Sequence, residues 1–164
     1  MNKQEFIGFV ETSQEWLRRF LASLCCGDMF KVDEIAQETY IKAYLSVDKI
    51  RDENKMKSWL LKIAYHTYLN SIRNSTYNHN IEEVIALESE ETSDSAFKYE
   101  NLYNALNSLP PKERMAVILY YMEGYAGKEI AAFLETNEAN VRQALSRGRN
   151  RLKLILKDQD YEGR

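Results

Sequence analysis

The chain has 164 residues, enough for one ordinary domain or two small ones, and 45% of them are apolar, which excludes a fully disordered protein. Two prolines and six glycines exclude a collagen-like or linker-dominated design, and no run of apolar residues is long enough to span a membrane. The formal charge of −3 hides a pattern: residues 1–74 carry 11 basic and 10 acidic side chains, 75–100 carry one and seven, and 101–164 carry ten and eight.

The opening stretch, MNKQEFIGFVETSQEW, has acidic and polar residues where a signal peptide needs a continuous apolar core, so a cytoplasmic chain is expected. Its first periodic segment sets Phe6, Phe9, Val10, Trp16, Leu17, Phe20, Leu21 and Leu24 at spacings of three and four, which predicts an amphipathic helix. Gly27 and Asp28 interrupt it. The adjacent Cys25 and Cys26 make no disulfide framework and are expected as buried or half-buried thiols near the helix end. The second segment puts Val32, Ile35, Ala36, Thr39, Tyr40, Ala43 and Tyr44 on one face, with Asp33, Glu34 and Glu38 toward its N-terminal half, where the helix dipole favours acids. DKIRDENKMK, from Asp48, lacks a steady period and reads as a loop or short turn. A third helix, SWLLKIAYHTYLNSIR, aligns Trp59, Leu60, Ile63, Ala64, Thr67, Leu69 and Ile72. Three helices of this size can close a small bundle around Trp16, Leu17, Ile35, Tyr40, Trp59 and Ile63.

Residues 75–97 are polar and strongly acidic, with one apolar cluster at Ile81, Val84, Ile85 and Leu87, and read as a linker. Beyond it, Leu102, Ala105, Leu106 and Leu109 form a helical face that Pro110 and Pro111 terminate. Pro111 suits the first turn of the next helix, which holds Met115, Val117, Ile118, Leu119 and Met122 and ends at Gly124 or Gly127. A short helix, KEIAAFL, follows, then the turn Glu135–Thr136–Asn137, then a long helix from about Glu138 to Lys157 with Asn137 as its N-cap. The expected architecture is all-α: a domain over 1–74, an acidic linker over 75–97 and a second domain over 98–164.

Short helix, three-residue turn, and a helix with a basic outer side make a helix-turn-helix layout. Residues 139–157 contain Arg142, Arg147, Arg149, Arg151, Lys153 and Lys157 with no acid among them. An α-helix fits the DNA major groove, and an arginine early in that helix can donate two parallel hydrogen bonds to guanine. Arg142 and Gln143 are therefore the leading base readers, with Asn140 and Arg147 open to a base or a phosphate. Arg149, Arg151 and Lys153 are expected to bind phosphate or to fold back onto the acidic surface.

VDEIAQETYIKAY, residues 32–44, resembles the core-polymerase-binding helix of extracytoplasmic-function sigma factors of the sigma-70 class. WLLKIAYHTYLNSIR, residues 59–73, resembles the family's −10 helix, and LNSLPPKERMAVILYYMEGYAGKEIAAFLETNEANVRQALSRGRNRLK, residues 106–153, its −35-binding module. The resemblance implies a non-catalytic factor that needs no cofactor or metal and binds core RNA polymerase and promoter DNA. It further implies an anti-sigma partner and no direct insertion into a membrane. It puts Glu34, Gln37 and Glu38 on the polymerase-facing side of the second helix. Lys49, Arg51, Lys55 and Lys57 fall beside the pocket for a flipped −10 base, near Trp59 and Tyr65, with Asn70 and Arg73 farther along. Asn140, Arg142, Gln143, Ser146, Arg147 and Arg149 are assigned to the −35 element. Four departures from the family pattern stand out. Glu135 replaces the usual turn glycine, which predicts a looser or strained turn; Thr136 replaces a small aliphatic residue; Ala144 replaces a basic residue; and Tyr65–His66 replaces a common Arg–Asn pair.

A stand-alone DNA-binding regulator is the principal alternative: it would use the same C-terminal helix but bind duplex DNA without polymerase. A helical adaptor that engages mainly protein is the other, and its basic helix would tolerate charge reversal. An enzyme is not expected, since His66 and His79 lack a carboxylate or cysteine arrangement at metal-ligand spacing and the glycines form no phosphate cradle.

Overall fold

A computed structural model describes residues 1–78 and 94–162, so the expected apolar patch of the linker and His79 lie outside the described residues. The described chain is helical: α1 (Lys3–Leu24), α2 (Met29–Ser46), α3 (Met56–Asn78), α4 (Asp94–Asn107), α5 (Pro111–Val117), α6 (Gly127–Phe133) and α7 (Glu138–Glu162). Helical backbone at Asn78 and at Asp94 reaches into the stretch read as linker from either side. None of the described helices is long and apolar enough to cross a membrane. Two compact units emerge, one from Met1–Leu21 and Met29 through α3, the other from Ala22–Asp28 and α4 onward.

In the first unit α1 and α2 run antiparallel. Phe6 packs against Tyr44 with ring centroids 5.7 Å apart and planes tilted by 55°, Ser13 and Tyr40 share a hydroxyl hydrogen bond at 2.8 Å, and Arg18 pairs with Asp33. Leu17, Phe20 and Leu21 from α1 and Val32, Ile35 and Ala43 from α2 are buried, and each of the larger ones, Ala43 excepted, contributes roughly 1.5–3 kcal/mol on removal from water. α3 packs on α2, but its buried face differs from expectation. Leu60, Leu61, Ala64, Tyr65, Thr67 and Tyr68 are buried, whereas Trp59, Ile63, Leu69 and Ile72 are half-buried. The segment is apolar on nearly every side, so its period alone does not fix which stripe meets α2. Trp16, expected in the core, is half-buried with Lys57 Nζ 5.4 Å above its ring, a cation–π contact.

In the second unit, α4, α5 and α6 all pack against α7. Pro110 is extended and Pro111 starts α5, as its missing N–H and fixed φ favour. α5 runs into a single π-helical turn, Ile118–Met122, closed by Gly124 at φ 74°. Arg114 is buried, and its guanidinium donates to the carbonyls of Leu106, Asn107 and Leu109 at 2.9, 3.3 and 3.0 Å. It thereby supplies partners for the orphan acceptors at the end of α4. Cys25 is buried and Cys26 half-buried beside the end of α1, in line with the sequence reading.

Candidate nucleic-acid interface

The turn before α7 closes tightly although it lacks glycine. Leu134 and Thr136 donate backbone N–H groups to the carbonyls of Ile130 and Ala131 at 2.8 and 2.9 Å, tying off the end of α6. That path needs a left-handed residue, and Glu135 takes it at φ 55°. Asn137 then caps α7: its Oδ1 accepts the Asn140 backbone N–H at 2.8 Å, while the Asn140 amide nitrogen donates to Thr136 Oγ1 at 2.8 Å. Asn140 is thus held in the first turn of the helix.

From this start α7 divides cleanly. Val141, Leu145 and Gly148 are buried, and Arg142, Gln143, Ser146 and Arg147 are exposed on the far side. Gly148 permits close approach to α5, since a methyl group there would lie 2.8 Å from Val117 Cγ2. Beside the exposed face runs a groove of about 340 Å³ whose walls include Lys112, Thr136, Asn140, Gln143 and Arg147. Arg149 and Arg151 lie on either flank of the buried stripe, Arg149 seven residues on from Arg142 and so on nearly the same side of the helix. Arg149 Nη1 donates to Tyr121 Oη at 3.2 Å, and Arg151 Nε lies 3.7 Å from Glu113 Oε2.

In the first unit, Glu34, Gln37 and Glu38 are all exposed on α2. They share an arc of about 100° with three exposed apolar side chains that the sequence reading passed over: Phe30, Ile41 and Leu45, 83%, 61% and 76% exposed. Their burial state is the signal, because the same residues at spacings of four and eleven read equally well as a core stripe. Glu38 is steadied by Lys42, 2.7 Å away, whose Nζ also donates to Thr67 of α3 at 3.3 Å.

The connection from α2 to α3 consists of two 3₁₀ turns, Val47–Lys49 and Glu53–Lys55, the second held by Asn54 N–H donating to Asp52 Oδ1 at 3.0 Å. Lys49, Arg51, Lys55 and Lys57 are exposed along it. Asn70 and Arg73 are exposed as well, in line with His66 on α3. They are not gathered with the loop: Lys57 and Arg73 stand about 24 Å apart along the helix axis at 1.5 Å per residue. Tyr65, expected beside the loop as an aromatic surface, is buried at 5% exposure and cannot stack on a base; Trp59 is half-buried. Among the described residues no three histidine, cysteine or acidic side chains gather as a metal site.

Comparison with known proteins matches residues 9–76 to sigma-70 region 2 and residues 99–152 to sigma-70 region 4. The chain is 31% identical over 133 residues to the ECF RNA polymerase sigma-E factor of Salmonella typhimurium, spanning 72% of this chain and 70% of that one. The chain belongs to the ECF sigma factors. It is also 28% identical over 142 residues to the ECF RNA polymerase sigma factor SigM of Bacillus subtilis, covering 84% of this sigma factor and 86% of SigM. Among solved structures it resembles the sigma factor RpoE of Bartonella quintana, in complex with the anti-sigma factor NepR, with a TM-score of 0.75, 24% identity and coverage of 94% and 98%. CnrH, in complex with the cytosolic domain of CnrY, gives a TM-score of 0.69 at 20% identity, covering 96% and 90%. A sigma factor is a non-catalytic specificity subunit: it binds core RNA polymerase and directs it to promoters to initiate transcription. The all-α fold with two helical domains agrees with that membership.

Proposed function

We propose that this sigma factor divides promoter recognition between its two units, with residues 98–164 reading the −35 element and residues 1–74 holding polymerase and the −10 element. The observation that carries the first half is the outer face of α7. Arg142, Gln143, Ser146 and Arg147 stand exposed immediately after a capped turn, where a groove-bound helix presents its base-reading side chains. Arg142 and Gln143 read base edges; Asn140, Ser146, Arg147 and Arg149 supply further base or phosphate contacts. Arg149 can do so while one of its N–H groups remains on Tyr121, because a guanidinium has five donors.

Glu34, Gln37 and Glu38 then face core polymerase, with Phe30, Ile41 and Leu45 as apolar anchors between them. Lys49, Arg51, Lys55 and Lys57 engage the −10 strand, and Asn70 and Arg73 take phosphates farther along the DNA, at the separation that α3 imposes. An anti-sigma factor is proposed as regulator because RpoE of Bartonella quintana was solved with one. The cytoplasm, where polymerase acts, is the proposed location.

The test pairs protein and promoter variants. Holoenzyme carrying Arg142→Ala should lose about 1–3 kcal/mol of discrimination at one −35 base pair and little elsewhere. Uniform weakening across all −35 sequences would reassign Arg142 to the phosphate backbone. In parallel, Glu38→Lys should impair capture of core polymerase in a pull-down; unchanged capture would remove that face from the polymerase interface.

A further inference from the structure

Glu113 lies in the run PPKER, which on its own describes a solvated helix start, yet the residue is only 8% exposed. Its Oε2 is enclosed and accepts no hydrogen bond. A carboxylate in that position is costly unless a charge faces it. The charge is the Arg151 guanidinium, three helical turns along α7, with Nε 3.7 Å from Oε2. Tyr121 holds Arg149 on the opposite flank of the same buried stripe, and between them Gly148 sits against Val117. Rotation of α7 about its own axis would pull Arg151 from Glu113 on one side and Arg149 from Tyr121 on the other. Glu113 lines a groove with Gln143 and Arg147, and these two, with Arg142 and Ser146, remain exposed while both contacts are in place.

We propose that Glu113 is a positioning residue for promoter recognition and that Arg151, in the middle of a basic run, is its strut and not a phosphate ligand. The pair fixes the roll of α7, and therefore which base edges Arg142 and Gln143 can reach. The proposal rests on the reading of α7 as the −35 helix.

Salt dependence separates a strut from a phosphate ligand. Each phosphate neutralised contributes about 0.9 to the slope of log affinity against log salt. Full-length sigma factor would be assembled with core polymerase and titrated against a promoter mapped by its own start sites, and against the same fragment with a scrambled −35 element. Arg151→Gln should leave the salt slope unchanged while cutting the ratio of the two affinities by about fivefold, less than loss of a whole base contact. Glu113→Gln should cut it similarly, the double variant no further than either single one, and Arg151→Lys should restore most of it. A slope lowered by about one in Arg151→Gln, or a double variant that loses the product of the single effects, overturns the proposal. Should Glu113→Gln fail to fold, Arg151→Gln and Arg151→Lys carry the same test, because the Arg151 side chain is half in solvent. If wild-type holoenzyme ignores the −35 sequence altogether, it is the −35 reading that fails. Melting temperatures of the same four variants then decide the pair: non-additive losses support the strut and additive losses overturn it.

Discussion

Glu135 adopts φ 55°, a region that costs an L-residue roughly 1–2 kcal/mol and glycine almost nothing. Glu135→Gly should therefore stabilise the protein, by about 0.5–1 kcal/mol once glycine's greater freedom in the unfolded chain is subtracted. Urea unfolding would read the gain, and a loss would mean that the glutamate side chain does more for the turn than its backbone costs. The sequence exposed this strain because a glutamate stood where a helix-turn-helix wants glycine. It gave no sign of Glu113, since nothing in PPKER distinguishes a buried carboxylate from a solvated one; only the packing of α7 does. Tyr40 supplies a pH effect at the same scale. Burial raises its phenol pKa, opposed by the hydrogen bond with Ser13. A phenol whose pKa is higher in the folded state stabilises the fold below its unfolded value of about 10, and that contribution is lost as pH rises through the folded value. Tyr40→Phe should flatten the decline in stability above about pH 10, measured by urea midpoints; an unchanged decline would exclude Tyr40 as a source.

Among the elements, α7 was the most legible and α3 the least. Val141 and Leu145 mark an apolar stripe opposite a basic one, so the sequence alone oriented α7, including its Asn137 cap. In α3 the aromatic residues Trp59, Tyr65 and Tyr68 occupy several sides, and only the folded packing separates the buried Tyr65 and Tyr68 from the half-buried Trp59. The seam between α5 and α7 depends on a missing side chain. Gly148→Ala gains about 1 kcal/mol of helix propensity but forces a methyl group against Val117, a stiff β-branched residue. Overpacking of this kind costs about 1–3 kcal/mol, so a net loss of about 1 kcal/mol is expected, together with weaker −35 discrimination as α7 shifts. Thermal melts and promoter titrations would show both; unchanged stability would mean that the seam yields freely.

For the whole molecule, the exposed apolar side chains of α2 matter most. Phe30, Ile41 and Leu45 lie in water next to Glu34, Gln37 and Glu38, a mixture suited to an interface with an apolar centre and a polar rim. Leu45→Glu should leave thermal stability nearly unchanged, because the residue is 76% exposed, while weakening core polymerase binding by about 2 kcal/mol, as a central anchor would. Equal binding by the variant would move the interface elsewhere. The measurement that bears most directly on the whole account is start-site mapping on genomic DNA with core polymerase, with and without the purified sigma factor. Start sites that appear only with the sigma factor and share −35 and −10 elements, lost at the −35 when Arg142 and Gln143 are replaced by alanine, are the predicted result. Starts absent, with the chain alone binding duplex DNA, would contradict it and favour a stand-alone regulator.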